Sequence, residues 1–201
     1  MLKYEVKSMN KSGNDNRSVR NTKARLYEAL MHLMREKPIN AISVKELTEL
    51  ADVNRGTFYF HYSDVYTMLS SIEDDFFSEL SEVMSSSTPT TRDAGAQYLA
   101  EIFRFVGQNR EFCSILLGVN GDMQFFRRIT AFVEEKCAAL WRILIPGADE
   151  RSFQMYNSFI ISGCIGLIRF WLDDDLRETP EEMSRVAVSL IGAGLSSANR
   201  I

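Results

Sequence analysis

With 201 residues, 45% apolar and 25% charged, the chain has enough apolar surface for a sizeable core. It fits one large domain, or a small one joined to a mid-sized one. Three cysteines lie far apart with no CxxC pair and only two histidines accompany them, which argues against a metal site or a disulfide framework. The net charge of −4 hides an asymmetry: residues 1–62 carry eleven Lys/Arg against seven Asp/Glu, and residues 63–201 carry twelve against twenty. A basic segment on an acidic body is what a nucleic-acid module attached to a non-binding domain would look like.

In chain order, residues 1–17 are polar, with Gly13 among Ser, Asn and Asp, and are expected to form a flexible arm. Met1 and Met9 are both candidate start sites. The first residues carry charge and lack the apolar core of a signal peptide. From about residue 18 onward nearly everything reads as helix, with no convincing alternating strand pattern. Leu26, Ala29, Leu30, Leu33 and Met34 repeat at helical spacing until Lys37-Pro38 ends the run.

A second helix begins at Ser43. Ser43 and Glu46 form a capping-box pattern, and Ile42 and Leu47 stand in the positions of a hydrophobic staple. A third begins at Asn54, with Val53 and Phe58 as its staple pair. Only Ala51-Asp52-Val53 separates the two, and Asp tolerates the left-handed backbone of a tight turn. Two short helices with so brief a turn must cross steeply, as in a helix-turn-helix.

A fourth helix is predicted from Ser63 or Asp64 to about Met84, followed by a Ser/Thr/Pro joint at 85–91. Further helices are predicted at about 92–108, 110–117, 122–145, 150–173 and 180–198. The last starts cleanly at Thr179-Pro180-Glu181-Glu182. The longest apolar run, Phe159 to Leu172, is broken by Arg169 and is shorter than the roughly 20 residues of a membrane span. The expectation is therefore an all-α cytoplasmic protein of about nine helices, with no membrane partner, metal or cofactor.

The third helix carries the chemistry. A major groove about 12 Å wide admits one helix, read with residues near its N-terminus. Arg55 can donate two hydrogen bonds to guanine. Gly56 lets the backbone approach DNA closely. Thr57 offers a hydroxyl and a methyl. The helix N-terminus itself, at Asn54, suits phosphate. Phe58 and Tyr62 share one face, expected to be core, while Phe60 points elsewhere: it is either an aromatic that can touch a thymine methyl or tolerated surface. Ser43 and Lys45 at the start of the second helix, and Thr22 and Lys23 near the start of the first, could hold phosphates; the plainer alternative for the lysines is solvated surface charge.

The segment Arg55-Gly56-Thr57-Phe58-Tyr59-Phe60-His61-Tyr62, followed by Ser63-Asp64 and Leu69, closely resembles the TetR-type helix-turn-helix, and with the first helix the match covers about residues 20–70. The resemblance implies a three-helix DNA-binding domain at 18–64 and a helical regulatory and dimerisation domain at 65–201. It also implies that Tyr59 and His61 hold the DNA backbone. Three positions depart from the family pattern: Val65 replaces a phosphate-contacting Lys, Asp52 a common Gly, and Thr48 a small apolar residue.

The C-terminal half is less specific. The run Ile160 to Leu172 resembles a TetR branch that includes regulators of dihydroxyacetone kinase operons. Ser162, Gly163, Gly166 and Phe170, with Val186 and Leu190 of the last helix, are candidates for a four-helix interface across a two-fold axis; packing within the chain is the alternative. Phe103, Val106, Phe126, Trp141, Met155 and Phe159 are candidate lining for a small-molecule effector pocket, although each alone is as readily plain core. No charge or histidine cluster indicates the effector, and no nucleophile, metal or phosphate-loop constellation indicates an enzyme.

The sequence thus predicts a TetR-type transcriptional regulator, a repressor or activator that binds a palindromic double-stranded operator as a homodimer. The alternative is a protein–protein adaptor that keeps the helix-turn-helix but works through another regulator.

Overall fold

A computed structural model of the chain describes residues 17–85, 92–118, 121, 123–144 and 149–198. The expected arm at 1–16 lies outside them. Among the described residues there are nine α-helices, one short 3-10 turn at Ile39–Ala41 and no strand. The helices are α1 Arg17–Glu36, α2 Val44–Leu50, α3 Arg55–His61, α4 Val65–Ser85, α5 Arg92–Gln108, α6 Arg110–Leu117, α7 Met123–Leu144, α8 Glu150–Asp173 and α9 Pro180–Ala198. The all-α class follows, and the predicted helix limits fall within one or two residues of those seen.

Two compact units divide the chain. The first holds residues 1–79 and 111–125, and so contains the whole segment 18–64 together with most of α4 and α6. Its centre is built from the periodic face of α1: Leu26, Leu30, Met31 and Met34 are almost completely buried, as are Leu47 of α2 and Phe58 of α3. Burying a side chain of this size is worth roughly 1.5–3 kcal/mol, so these few positions dominate the energetics of a small three-helix assembly. A second cluster in the same unit is aromatic. Phe112 and Phe125 approach Phe76 with ring centroids 4.9 and 6.0 Å away, and Phe77 lies 5.6 Å from Phe125. An ion pair between Arg35 and Glu111 ties α1 to α6.

The second unit holds residues 80–110 and 126–201. Its most extensive packing runs between α5 and α9, with α8 against both. Trp171 organises one end. Its indole N–H donates to the Glu178 carbonyl at 2.9 Å, and Phe103 meets it edge-on with centroids 5.5 Å apart. A Cβ added at Gly107 would come within 3.3 Å of the same indole, so that glycine makes room for the ring. Helix α8 ends there in two consecutive left-handed residues, Asp175 (φ 59°) and Leu176 (φ 55°). Non-glycine residues adopt that conformation at a cost; the Leu176 N–H donates to the Trp171 carbonyl at 2.9 Å and Arg110 pairs with Asp175, which together offset it. On the α9 side Arg104 pairs with Glu181 and Glu101, and the Ser184 hydroxyl donates to the Ala96 carbonyl.

Burial pushes the thiols of Cys113 and Cys137 up, to about 12 and about 11. Both stay protonated near neutral pH and behave as small apolar residues. Helix α8 is also long and apolar enough, by length and composition, to cross a membrane, and little of its most apolar stretch is buried. The apolar run from Phe159 to Leu172 is only the C-terminal part of this helix and is shorter than a span.

Candidate nucleic-acid interface

The interface is built by local signals. Ser43 caps α2 by accepting from the Glu46 N–H at 3.2 Å. The reciprocal half of the expected capping box is not formed: the Glu46 carboxylate instead accepts from Lys37 Nζ at 2.6 and 2.7 Å. A lysine nine residues upstream offers it a full charge, which outcompetes a backbone N–H. The complete box occurs at α9, where Thr179 N–H donates to Glu182 Oε2 at 2.8 Å and Glu182 N–H donates to Thr179 Oγ1 at 3.2 Å. Asn54 caps α3, accepting from the Gly56 N–H at 2.7 Å. Thr48 is buried, and its hydroxyl donates to the carbonyls of Val44 (2.8 Å) and Lys45 (3.0 Å), so a polar residue sits in the core without an unmet bond.

The turn places Asp52 at φ 49°, in the left-handed region where glycine is common. Arg25, from the middle of α1, reaches it twice: Nη2 donates to the Asp52 carbonyl at 2.7 Å and to its carboxylate at 2.5 Å. That bridge is sequence-remote and gave no signal in the motif. It holds the turn between α2 and α3 and pairs the Asp52 carboxylate with a cation.

Helix α3 is sharply two-sided. Phe58 is fully buried and Tyr62 nearly so, with rings 5.8 Å apart. Arg55, Gly56, Thr57, Tyr59 and Phe60 are exposed, and His61 is half-buried with its ring edge-on to Phe60 at 5.0 Å. Thus Asn54, Arg55, Gly56, Thr57, Tyr59 and Phe60 come together on one solvent-facing surface. In the free protein the Arg55 guanidinium lies 4.0 Å from Glu49. Ser43 and Lys45 are exposed at the start of α2.

The two α1 candidates stand differently. Thr22 is half-buried and its hydroxyl donates to the Ser18 carbonyl at 3.0 Å. Lys23 is half-buried and favours the charged form of Asp75 on α4, which desolvation otherwise disfavours. Lys23 therefore already serves a carboxylate within its own unit. Val65 is buried as the first residue of α4: the position that departs from the family lysine here belongs to the core.

The effector-pocket candidates do not converge. Phe103 and Val106 are buried, and Phe126 is half-buried. The side chain of Trp141 lies outside the described residues. Met155 and Phe159 are exposed at 59% and 71%, not enclosed. In helical register 155, 159, 162, 163, 166 and 170 follow one stripe, and Ser162, Gly163, Gly166 and Phe170 are exposed too. Beside Gly163 and Gly166 an added Cβ would meet only open space. On α9, Val186 and Leu190 are likewise exposed. Among the described residues no group of three or more His, Cys, Asp or Glu is positioned to hold a metal.

Comparison with known proteins bears on this architecture. Residues 95–192 match the TetR family described as transcriptional regulator C-terminal region. A curated relative, the uncharacterised HTH-type transcriptional regulator YxbF of Bacillus subtilis (strain 168), is 23% identical over 172 residues, covering 84% of this chain and 44% of its own. The chain thus spans less than half the length of that relative. Among solved structures, a TetR transcriptional regulator from Streptococcus agalactiae 2603V superposes with a TM-score of 0.65 at 24% identity, covering 87% of this chain and 96% of that one. The dihydroxyacetone kinase operon activator DhaS does so with a TM-score of 0.55 at 18% identity, with the same coverage; at these identities the likeness is one of fold. The C-terminal region thus matches that of TetR-type transcriptional regulators, and the fold is the one seen in TetR-family structures.

Proposed function

We propose that this regulator reads DNA directly, binding a palindromic operator as a homodimer through Arg55, Gly56, Thr57, Tyr59, Phe60 and His61. Ser43 and Lys45 hold flanking phosphates, and Thr22 and Lys23 near the start of α1 hold others. In this reading residues 18–64 are the DNA-binding module and 65–201 the regulatory and dimerisation body, acting in the cytoplasm without catalysing a reaction.

The observation that carries the proposal is the polarity of α3. A seven-residue helix capped by Asn54 and pinned by Phe58 turns its first-turn Arg-Gly-Thr to solvent. An exposed glycine in a short helix costs about 0.5–1 kcal/mol relative to alanine. A close approach by another backbone gives that glycine a purpose.

Dimerisation is supported by the exposed apolar stripe of α8 and by Val186 and Leu190 on α9. Two copies that bury these residues would form a self-complementary interface, and a two-fold dimer matches two half-sites about 34–36 Å apart. A small molecule or a protein partner acting on the second unit would modulate it.

Selection of bound sequences from random DNA, followed by gel shift, tests the reading directly. The expected result is a palindromic consensus that loses affinity on Arg55→Ala. Absence of any shift at low salt, with Arg55→Ala silent in cells, rejects it in favour of the adaptor alternative.

A further inference from the structure

Phe60 is 82% exposed, more than any other large apolar side chain among the described residues. It stands on a helix whose first residues, Arg55, Gly56 and Thr57, are polar or bare. Its place on that helix is specific. Residues 56, 57 and 60 share one face, and Phe58 lies on the opposite one. Helical side chains lean toward the N-terminus, over the residues three and four positions earlier. Phe60 therefore shares its face with Thr57 and the bare backbone of Gly56, its ring set edge-on to His61 at 5.0 Å.

Gly56 is not demanded by the fold. A Cβ there would crowd only the Asn54 cap oxygen, at 3.2 Å. One face of α3 thus carries an exposed aromatic ring and, one turn earlier, an open patch of backbone. A phenyl ring has no hydrogen-bonding group, so it cannot read the donors and acceptors of the groove. The one apolar feature that bases present there is the C5-methyl group of thymine.

We infer that Phe60 is a specificity-determining residue that selects a 5-methylpyrimidine, thymine in ordinary DNA, at one defined position of each half-site. This deepens the DNA-reading proposal and rests on it. Gly56 lets the helix descend far enough for the ring to cover the methyl, and Thr57 closes the side of the contact.

The test uses the full-length protein and the operator obtained by random selection. Each thymine is replaced in turn by deoxyuridine, which removes only the methyl group. At one position per half-site the wild-type protein is expected to weaken about three- to fivefold, the scale of one buried methyl. Phe60→Ala should bind more weakly by a similar factor and become indifferent to deoxyuridine at that position alone. Phe60→Leu, still apolar, should keep part of the discrimination. Unchanged thermal melting and helical signal of both variants, expected for so exposed a residue, show that folding is not the cause.

The inference is overturned if no thymine is methyl-sensitive, or if the sensitivity survives in Phe60→Ala. An operator bound tightly with every deoxyuridine neutral rejects this contact and leaves DNA reading intact. Failure to bind any DNA at low salt rejects both.

Discussion

Helix α3 turns Arg55, Gly56 and Thr57 outward and keeps Phe58 inside; helix α8 turns Met155, Phe159 and Phe170 outward and keeps Ile161 and Trp171 inside. The first is seven residues long and held by a cap, a buried Phe58 and a bridged turn. The second is 24 residues long. Its exposed side carries large apolar residues among polar ones. A short helix cannot persist on propensity, so its sequence is dense with end signals and its solvent face is left over for polar chemistry. A long helix needs few such signals, and its outward apolar face is meaningful only if something covers it. The difference teaches that, on the proposed reading, exposure has different meanings in the two units: a mixed polar and aromatic surface offered to DNA, and an apolar stripe offered to a matching surface.

The largest expected effect tests the inward sides. Phe58→Ala should destabilise the protein by about 3–5 kcal/mol in urea unfolding, whereas Phe159→Ala should change the stability of the isolated chain by roughly 0.5 kcal/mol or less. Equal losses would erase the contrast. Next, Phe159→Glu or Leu190→Glu should turn a dimer into a monomer in sedimentation at micromolar concentration, with helical content unchanged, because a buried charge without a partner costs several kcal/mol. A wild-type monomer at the same concentration would refute the covering of α8 by a second copy.

Smaller is the loss from Arg55→Ala, about 1–3 kcal/mol or roughly 5- to 150-fold in operator affinity by anisotropy, with no change in melting. Asn54→Ala should cost about 1 kcal/mol of stability by removing the bond to the Gly56 N–H. The smallest is Lys45→Ala. It should weaken binding to all sequences alike and lower the salt dependence by about one ion.

What was legible in the sequence follows the same division. Helix limits and the caps at Ser43, Asn54 and Thr179 are local, because each involves residues two to four apart. The second half of the box at Ser43 failed because Lys37, held near by the fold, took Glu46. The Arg25–Asp52 bridge spans 27 positions and leaves no periodic trace. In the C-terminal half periodicity defines stripes, but cannot tell which stripe faces inward when both sides of a helix are apolar. Met155 and Phe159 were therefore expected inside with Phe103, and stand outside with Gly163. At Val65 the family pattern led to a missing phosphate anchor, whereas burial makes that residue part of the core.

Trp171 offers an optical consequence. Its indole is enclosed by Phe103, bonded to a carbonyl of the turn between α8 and α9, and seated over Gly107. Such a ring emits toward the blue, and its emission shifts when that turn loosens or its carbonyl moves away. With Trp141→Phe to isolate the signal, the protein carries its own fluorometer at the junction of two helices. Titrating candidate effectors or operator DNA against that emission would register an event in the regulatory half without any added label.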